Sequence, residues 1–302
     1  MITTFFVQMK HLDAGDSLTQ GIDKTEVSKL CILGAGVMGA GIAFAAAKVG
    51  IEVVLKDLSQ KNADSGKAYA ASACEKNRRI DAEQAQQILA RIHPTDLVAD
   101  LADCDLVIEA VFENREVKAT VTRETEIVLG ETAIFASNTS ALPITELAEA
   151  SARPQNFIGM HFFSPAEKMP LVEIITGERT SDEALARAFD LAQKLGKKPI
   201  VVTDAPGFFT TRVIGQTITQ GQRMLAEGVN PALIENGAAF NGSPMGPLET
   251  LDTISLETAY HGAQQRKADA EAAGQDWVAT PESEVISYMV KEAGRTGQAQ
   301  GA

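Results

Sequence analysis

Lys29-Leu30-Cys31-Ile32-Leu33-Gly34-Ala35-Gly36-Val37-Met38-Gly39 joins a short apolar run to a glycine-rich turn, and its reading decides the fold. The apolar run has the signature of a strand buried on both faces. After the glycines, Met38 to Val49 reads as an alanine-rich helix closed by Gly50. Glu52-Val53-Val54-Leu55-Lys56 is the next strand, ending at Asp57, which completes a β-α-β unit. The G-x-G-x-x-G spacing is weak alone; a strand before it and a helix after it supply the context that makes it a dinucleotide fingerprint. Gly34 permits the tight turn, Gly36 lets the backbone approach a pyrophosphate, and Gly39 allows close helix–sheet packing. Val37 and Met38 open the helix, whose unpaired N–H groups and partial positive charge suit phosphate. A carboxylate at Asp57 suits ribose hydroxyls and repels a 2′-phosphate, so the expected cofactor is NAD rather than NADP.

The alternation continues along the chain. Asp105 to Val111, Ala133 to Ser137, Phe157 to Phe163, Leu171 to Thr176 and Pro199 to Thr203 read as strands. Arg115 to Leu129 reads as a helix with Gly130 past its end, and Thr180 with Glu183 suggests a capping box opening a helix to about Leu195. The expected architecture is α/β: a doubly wound, mainly parallel sheet of Rossmann type over residues 28–204. After Pro206-Gly207 the strands stop. Helices are expected over Phe208 to Glu227, from Pro231 to near Gly242, from Pro247 and from Pro281, so residues 205–302 form a smaller all-helical domain. Residues 1–27 read as a leading arm or linker, and Gly294 to Ala302 as a frayed end.

Composition narrows the function. The 302 residues carry 27 Lys and Arg against 40 Asp and Glu, a formal charge of −13 that disfavours nucleic acid and anionic membranes as partners. Anionic ligands must be met locally, by helix N-termini, backbone amides or a small basic cluster. No apolar stretch reaches the length of a membrane span, and no leader is read at the start, so a soluble chain is expected. Cys31, Cys74 and Cys104 are not spaced like metal ligands, and His11, His93 and His261 are isolated, so no metal is expected and the thiols read as reduced and mostly buried.

The fourth histidine is different. His161 lies in Met160-His161-Phe162-Phe163-Ser164-Pro165, and Glu173 follows in Leu171-Val172-Glu173-Ile174, on the next predicted strand across a proline-containing turn. Oxidising a secondary alcohol requires the hydroxyl proton to leave as hydride departs. A neutral imidazole backed by a carboxylate that fixes its tautomer is suited to this.

With these residues in place the chain resembles the L-3-hydroxyacyl-CoA dehydrogenases. The resemblance rests on Gly34 to Ala43, Val107-Ile108-Glu109-Ala110-Val111-Phe112-Glu113, Ser137-Asn138-Thr139-Ser140, His161 to Pro165, Leu171 to Ile175, Pro206-Gly207-Phe208-Phe209 and Gly242-Ser243-Pro244-Met245-Gly246-Pro247, in the family's order. It implies NAD-dependent oxidation of L-3-hydroxyacyl-CoA to 3-ketoacyl-CoA, a β-oxidation step. By the match His161 is the general base, Glu173 its partner, and Ser140 a substrate contact near the nicotinamide. Glu113 and Lys118 fall at cofactor-contacting positions, with Asn138 beside them and Ser164 also placed with the cofactor contacts.

Departures are equally specific. Thr211 stands where the family usually has a substrate-contacting asparagine, and Ser164 stands where many members carry asparagine. Both changes resemble the multifunctional fatty-acid-oxidation α subunits of bacteria. The arm with Thr4-Phe5-Phe6-Val7 resembles the connector of such a subunit, and the chain stops near Gly294-Arg295-Thr296-Gly297, where family members run on. The expectation is a dehydrogenase part or a shortened relative, bacterial and cytoplasmic, forming a homodimer or acting within a multifunctional β-oxidation complex. The basic cluster Lys67, Lys76, Arg78 and Arg79 is a candidate contact for the phosphates of an acyl-CoA substrate, against a plain solvated helix face. Two other readings stand beside the enzyme: a catalytically weak NAD- or acyl-CoA-binding protein of the same fold, and a dehydrogenase for a small free hydroxy acid.

Overall fold

The computed structural model describes Ile22, Lys24, residues 26–272, Gly274 and residues 276–297. The expected arm up to Gly21, with Thr4–Val7, and residues 298–302 of the expected frayed end lie outside the described residues. The chain divides into two compact units between Phe209 and Thr210.

The first unit runs β1 (Lys29–Leu33), α1 (Val37–Lys48), β2 (Glu52–Lys56), α2 (Gln60–Lys76), α3 (Ala82–Ala90), β3 (Ile92–Thr95), β4 (Leu106–Glu109), α4 (Arg115–Glu126), β5 (Ile134–Ser137), α5 (Ile144–Leu147), β6 (Phe157–Phe162), β7 (Leu171–Thr176), α6 (Asp182–Lys194) and β8 (Lys198–Thr203). Its eight strands lie in the order β3-β2-β1-β4-β5-β6-β7-β8. All neighbours are parallel except β6 and β7, which form an antiparallel pair. The chain builds outward from β1 to β3 on one side and from β4 to β8 on the other. The crevice beyond the strand ends at β1 and β4 is therefore the switch point where doubly wound sheets bind ligands. This is the doubly wound sheet of Rossmann type that the sequence implied.

Alternate strand residues feed two apolar layers. Leu30, Ile32, Val53, Leu55 and Ile108 belong to one, with Ile42, Ala43 and Ala46 of α1. Cys31, Leu33, Val54, Val107 and Phe135 belong to the other. Small alanines let α1 lie close to the sheet, and dispersion over the shared area holds it there. All three cysteines are buried and unbridged.

Among the elements the sequence reading did not assign are β3 and α3. β3, Ile92-His93-Pro94-Thr95, is an edge strand in which a proline without an N–H costs no central ladder bond. Before it, α3 is opened by a capping box in which Asp81 accepts from Gln84 N and Gln84 reaches back to Asp81 N. A cap was also misplaced: Ser181, not Thr180, opens α6, accepting from Ala184 N. The Thr180 hydroxyl instead donates to Phe157 O and accepts from Gly177 N.

The second unit is helical: α7 (Thr210–Ala226), α8 (Pro231–Phe240), α9 (Pro247–Ile254), α10 (Leu256–Ala272) and α11 (Pro281–Ser287), which widens into a π-helical turn over Tyr288–Glu292. Leu251, Leu256 and Ile286 form its small core. Gly221 lets α7 approach α9, since a Cβ there would stand 2.7 Å from Pro247. Arg223 grips Glu282 with two hydrogen bonds of 3.1 Å. Among the described residues no helix is long and apolar enough to cross a membrane.

Candidate active site

β6 and β7 place His161 directly opposite Glu173 in the antiparallel register. Facing positions of such a pair bring side chains into reach, and His161 Nδ1 lies 2.8 Å from Glu173 Oε2. The His161 side chain is 8% exposed and that of Glu173 fully buried. Glu173 Oε1 accepts the backbone N–H of Phe209 at 3.1 Å. A carboxylate is an acceptor on both oxygens, so Nδ1 carries the shared proton and Nε2 is left as the lone-pair nitrogen. Phe163 and Phe208 flank the imidazole, with ring centroids 4.4 and 6.1 Å away.

The glycine turn has the shape its sequence implies. Gly34 takes φ +94°, a left-handed conformation, and a Cβ there would stand 2.6 Å from Ala110 O. A Cβ on Gly39 would collide with Gly34 O at 1.8 Å, whereas Gly36 faces open space. The groove at Gly36 is thus open to a ligand while the turn beneath it is filled. Val37 is exposed and Met38 half-buried at the start of α1. Asp57, after β2, accepts from Ala35 N and Leu58 N at 2.7 Å each and from Asn62 at 3.0 Å. Burial raises the pKa of this carboxyl, but the bonds from Ala35, Asn62 and Leu58 outweigh it and hold the group below its ordinary value. A cavity of about 360 Å³ opens beside it, lined by Gly34, Gly36, Asp57, Val111, Val117 and Val121. Mostly apolar walls, with Asp57 at the end of β2, Glu124 on α4 and an open glycine turn, suit an adenosine and pyrophosphate, so the residues present fit a dinucleotide.

Beyond the ends of β4 and β5 lies an ionic cluster in which Glu109 and Lys118 are buried and Glu113 is exposed. Lys118 Nζ, 2% exposed, sits 2.7 Å from Glu109 Oε1 and 3.1 Å from Glu113 Oε2. Glu109 also accepts from Val111 N at 2.9 Å and from Ser137 Oγ at 2.8 Å. Glu113 Oε1 accepts from Thr139 Oγ1 and, at 3.0 Å, from Ser140 N. Burial raises the Glu113 carboxyl, and Lys118 with these donors overrides it, so the group is held below its ordinary value. Asn138 joins the ends of neighbouring strands: its N–H donates to Glu109 O and its Oδ1 accepts from Phe162 N at 2.8 Å. Glu113, Lys118, Asn138 and Ser140 are thus brought together, while Ser164 lies exposed in the turn after β6. Glu109 and Thr139 went unassigned in the sequence. An acid closing the apolar strand Leu106-Val107-Ile108-Glu109 was the signal available for the first.

The basic residues divide. Lys76, Arg78 and Arg79 line a cavity of about 460 Å³ together with Lys48, Lys168 and Glu167. Lys67 is not part of it; its Nζ donates to Ile92 O at 2.8 Å, at the start of β3. Thr211 lies in the first turn of α7, in the second unit. Among the described residues no group of three His, Cys, Asp or Glu is placed to hold a metal ion.

Comparison with known proteins identifies the family. Residues 29–205 match the family model described as 3-hydroxyacyl-CoA dehydrogenase, NAD binding domain, and residues 207–302 match its C-terminal domain. The fatty acid oxidation complex subunit alpha of Psychrobacter arcticus is 42% identical over 242 residues, 79% of this chain but 34% of that protein. The chain therefore spans about a third of the length of the curated relatives it matches. Among solved structures, (S)-3-hydroxybutyryl-CoA dehydrogenase from Ralstonia eutropha is 35% identical, with a TM-score of 0.81 covering 91% of this chain and 97% of that one. A 3-hydroxybutyryl-CoA dehydrogenase from Escherichia coli K12 is 32% identical, with a TM-score of 0.82 over 92% of this chain and 59% of that one. With both halves of the molecule matched, the chain belongs to the 3-hydroxyacyl-CoA dehydrogenase family and carries its NAD-binding domain.

Proposed function

We propose that this chain oxidises L-3-hydroxyacyl-CoA to 3-ketoacyl-CoA. The observation that carries the reading is the 2.8 Å contact between His161 Nδ1 and Glu173 Oε2. NAD, when bound, supplies the acceptor for a hydride. His161 Nε2 takes the proton of the substrate hydroxyl as the C3–H bond gives up its electron pair and the C–O bond becomes a carbonyl. Glu173 stabilises the imidazolium that results and keeps the ring in the productive tautomer. Gly34, Gly36, Val37, Met38 and Gly39 seat the pyrophosphate, Asp57 the adenosine ribose, and Glu113, Lys118, Asn138 and Ser164 the nicotinamide half. Ser140 contacts the substrate.

The groove of Lys48, Lys76, Arg78, Arg79 and Lys168 takes the phosphates of the CoA moiety. It concentrates cationic side chains on a protein of formal charge −13, which supports that assignment over a plain solvated face. The activity belongs to fatty-acid β-oxidation in a bacterial cytoplasm, with the chain acting as a homodimer or beside the other activities of a β-oxidation complex. Exposed Leu233, Phe240, Val213 and Ile214 on α7 and α8 support self-association.

The test is NADH consumption with acetoacetyl-CoA, comparing the wild-type chain with His161→Gln. Loss of a positioned general base or acid should slow turnover by about 10²–10⁴-fold. Equal background rates in both proteins would overturn the reading.

A further inference from the structure

The cluster Glu109–Lys118–Glu113 has a charge imbalance that positioning alone does not explain. Two carboxylates surround one ammonium. Glu109 is an acceptor to three donors, Lys118, Val111 N and Ser137, which is the pattern of an ionised carboxylate. A single neutral acceptor at position 109 would anchor Lys118 without adding a second negative charge. The cluster therefore carries a net charge of about −1, with Glu109 and Lys118 almost wholly withdrawn from water.

Its place in the fold makes that charge consequential. In the order β3-β2-β1-β4-β5-β6, the cavity reaches from Asp57 at the end of β2, past β1, to the loop after β4 and to α4. Glu109 and Ser137 end β4 and β5, on the way to His161 on β6. Resting on the proposed function, which puts the adenosine beside Asp57 and the reacting carbon beside His161, the nicotinamide half lies over the ends of β4 and β5. The oxidised ring carries one positive charge that the reduced ring lacks.

We propose that Glu109 is an electrostatic positioning residue: it holds Lys118 in place and leaves the cluster net negative, so that the site binds the oxidised nucleotide more favourably, relative to the reduced one, than a neutral cluster would. Glu109 touches neither substrate nor cofactor and acts through Lys118 and Glu113. Buried charges interact strongly because little water screens them.

The experiment is a pair of dissociation constants, for NAD⁺ and for NADH, measured by calorimetry and by nucleotide fluorescence on the full chain. Glu109→Gln keeps the side-chain shape and removes one charge. It should weaken NAD⁺ relative to NADH by about tenfold, while Glu109→Asp, which keeps the charge, should restore most of the ratio. Ser137→Ala removes a hydrogen bond to Glu109 and no charge, and should leave the ratio unchanged. Should Glu109→Gln fail to fold, Glu113→Gln, at the more exposed end of the cluster, removes the same charge and should move the ratio the same way. An unchanged ratio in the folded charge variants, or an equal shift in Ser137→Ala, would overturn the proposal. A wild-type chain that binds neither nucleotide would overturn the cofactor reading itself, and that failure shows before any substitution is made.

Discussion

Glu173 accepts hydrogen bonds on both oxygens at once, from Phe209 N–H on one side and from the imidazole of His161 on the other. An amide cannot replace it. In Glu173→Gln the oxygen can face Phe209, which turns the NH₂ toward Nδ1 and forces the imidazole into the wrong tautomer. The alternative orientation keeps the tautomer but sets two N–H donors against each other at Phe209. Glu173→Gln should therefore lower kcat by about 10²–10⁴-fold, close to the effect of His161→Gln. The dissociation constant for NADH should stay within about twofold, since neither oxygen of Glu173 faces the glycine turn. Steady-state kinetics with acetoacetyl-CoA, paired with NADH titration, checks both halves. A variant retaining near-normal kcat would show that the carboxylate is structural.

The two glycines of the nucleotide turn should respond oppositely to the same added methyl. Gly39→Ala puts a Cβ 1.8 Å from Gly34 O, a backbone atom that has no rotamer to escape into. Overpacking of this kind costs about 1–3 kcal/mol or more, so the melting temperature should fall and nucleotide binding should be lost with it. Gly36→Ala meets nothing within 4 Å. Its stability should stay within about 0.5 kcal/mol of wild type, while affinity for NADH falls because the methyl stands where the pyrophosphate must approach. Thermal melts with and without NADH separate the two cases. Equal melting temperatures for both variants would contradict the packing described.

These contrasts show what a sequence discloses and what it withholds. The β1–turn–α1–β2 unit was legible because burial on both faces leaves an uninterrupted apolar run, and because only glycine fits at Gly34 and Gly39. Although the register across residues 163–170 is set only by the β6–β7 ladder, the nearness of His161 and Glu173 was legible, because they fall on consecutive strands joined across two prolines. β3 was not, because an edge strand need not be apolar and its proline argues locally against a strand. The Thr180–Ser181 ambiguity is of another kind: adjacent hydroxyls offer the same cap, and only the bond from Thr180 to Phe157 O decides which is free to serve. Glu109 was hidden by its own burial. Its role depends on Ser137 and Lys118, which reach it from β5 and α4, and no local pattern joins three such positions.

The basic groove predicts a selective kinetic defect. Lys76 is exposed at the end of α2 and lines the groove with Arg78 and Arg79, whereas Lys67 is held by Ile92 O. Reversing the charge in Lys76→Glu should raise KM for acetoacetyl-CoA by about fivefold, the size of a partly screened contact near 1 kcal/mol. It should leave kcat nearly unchanged and should not alter KM for an acetoacetyl thioester of pantetheine, which lacks the nucleotide. Lys67→Met should have less effect on KM. A KM that rises equally for both thioesters would show that the charge acts elsewhere than at the CoA phosphates.

Acid should expose how the first unit is fastened. Asp105 accepts from Ser28 N, Ser28 Oγ and Lys29 N through a single oxygen, at 2.8 to 2.9 Å, which ties the start of β1 to that of β4. Burial raises this carboxyl, but the donors on Lys29 and Ser28, helped by Arg187, hold it below its ordinary value. Asp57 is lowered in the same sense by the donors on Ala35, Asn62 and Leu58. A carboxyl whose folded value lies below its unfolded one binds protons more readily in the unfolded chain. Its contribution to stability is complete above the unfolded value, about 3.9, and is lost as pH falls through the lowered folded value. The wild-type melting temperature should therefore drop steeply below about pH 4. Asp105→Asn should melt lower than wild type at neutral pH and show a flatter acid limb, because the proton that destabilises the wild type has no carboxylate to bind. Asp57→Asn should do the same, with an added loss of NADH affinity that Asp105→Asn does not share. Melting curves from pH 7 to pH 3 that run parallel for wild type and Asp105→Asn would show that the bonds from Ser28 and Lys29 do not govern the acid transition.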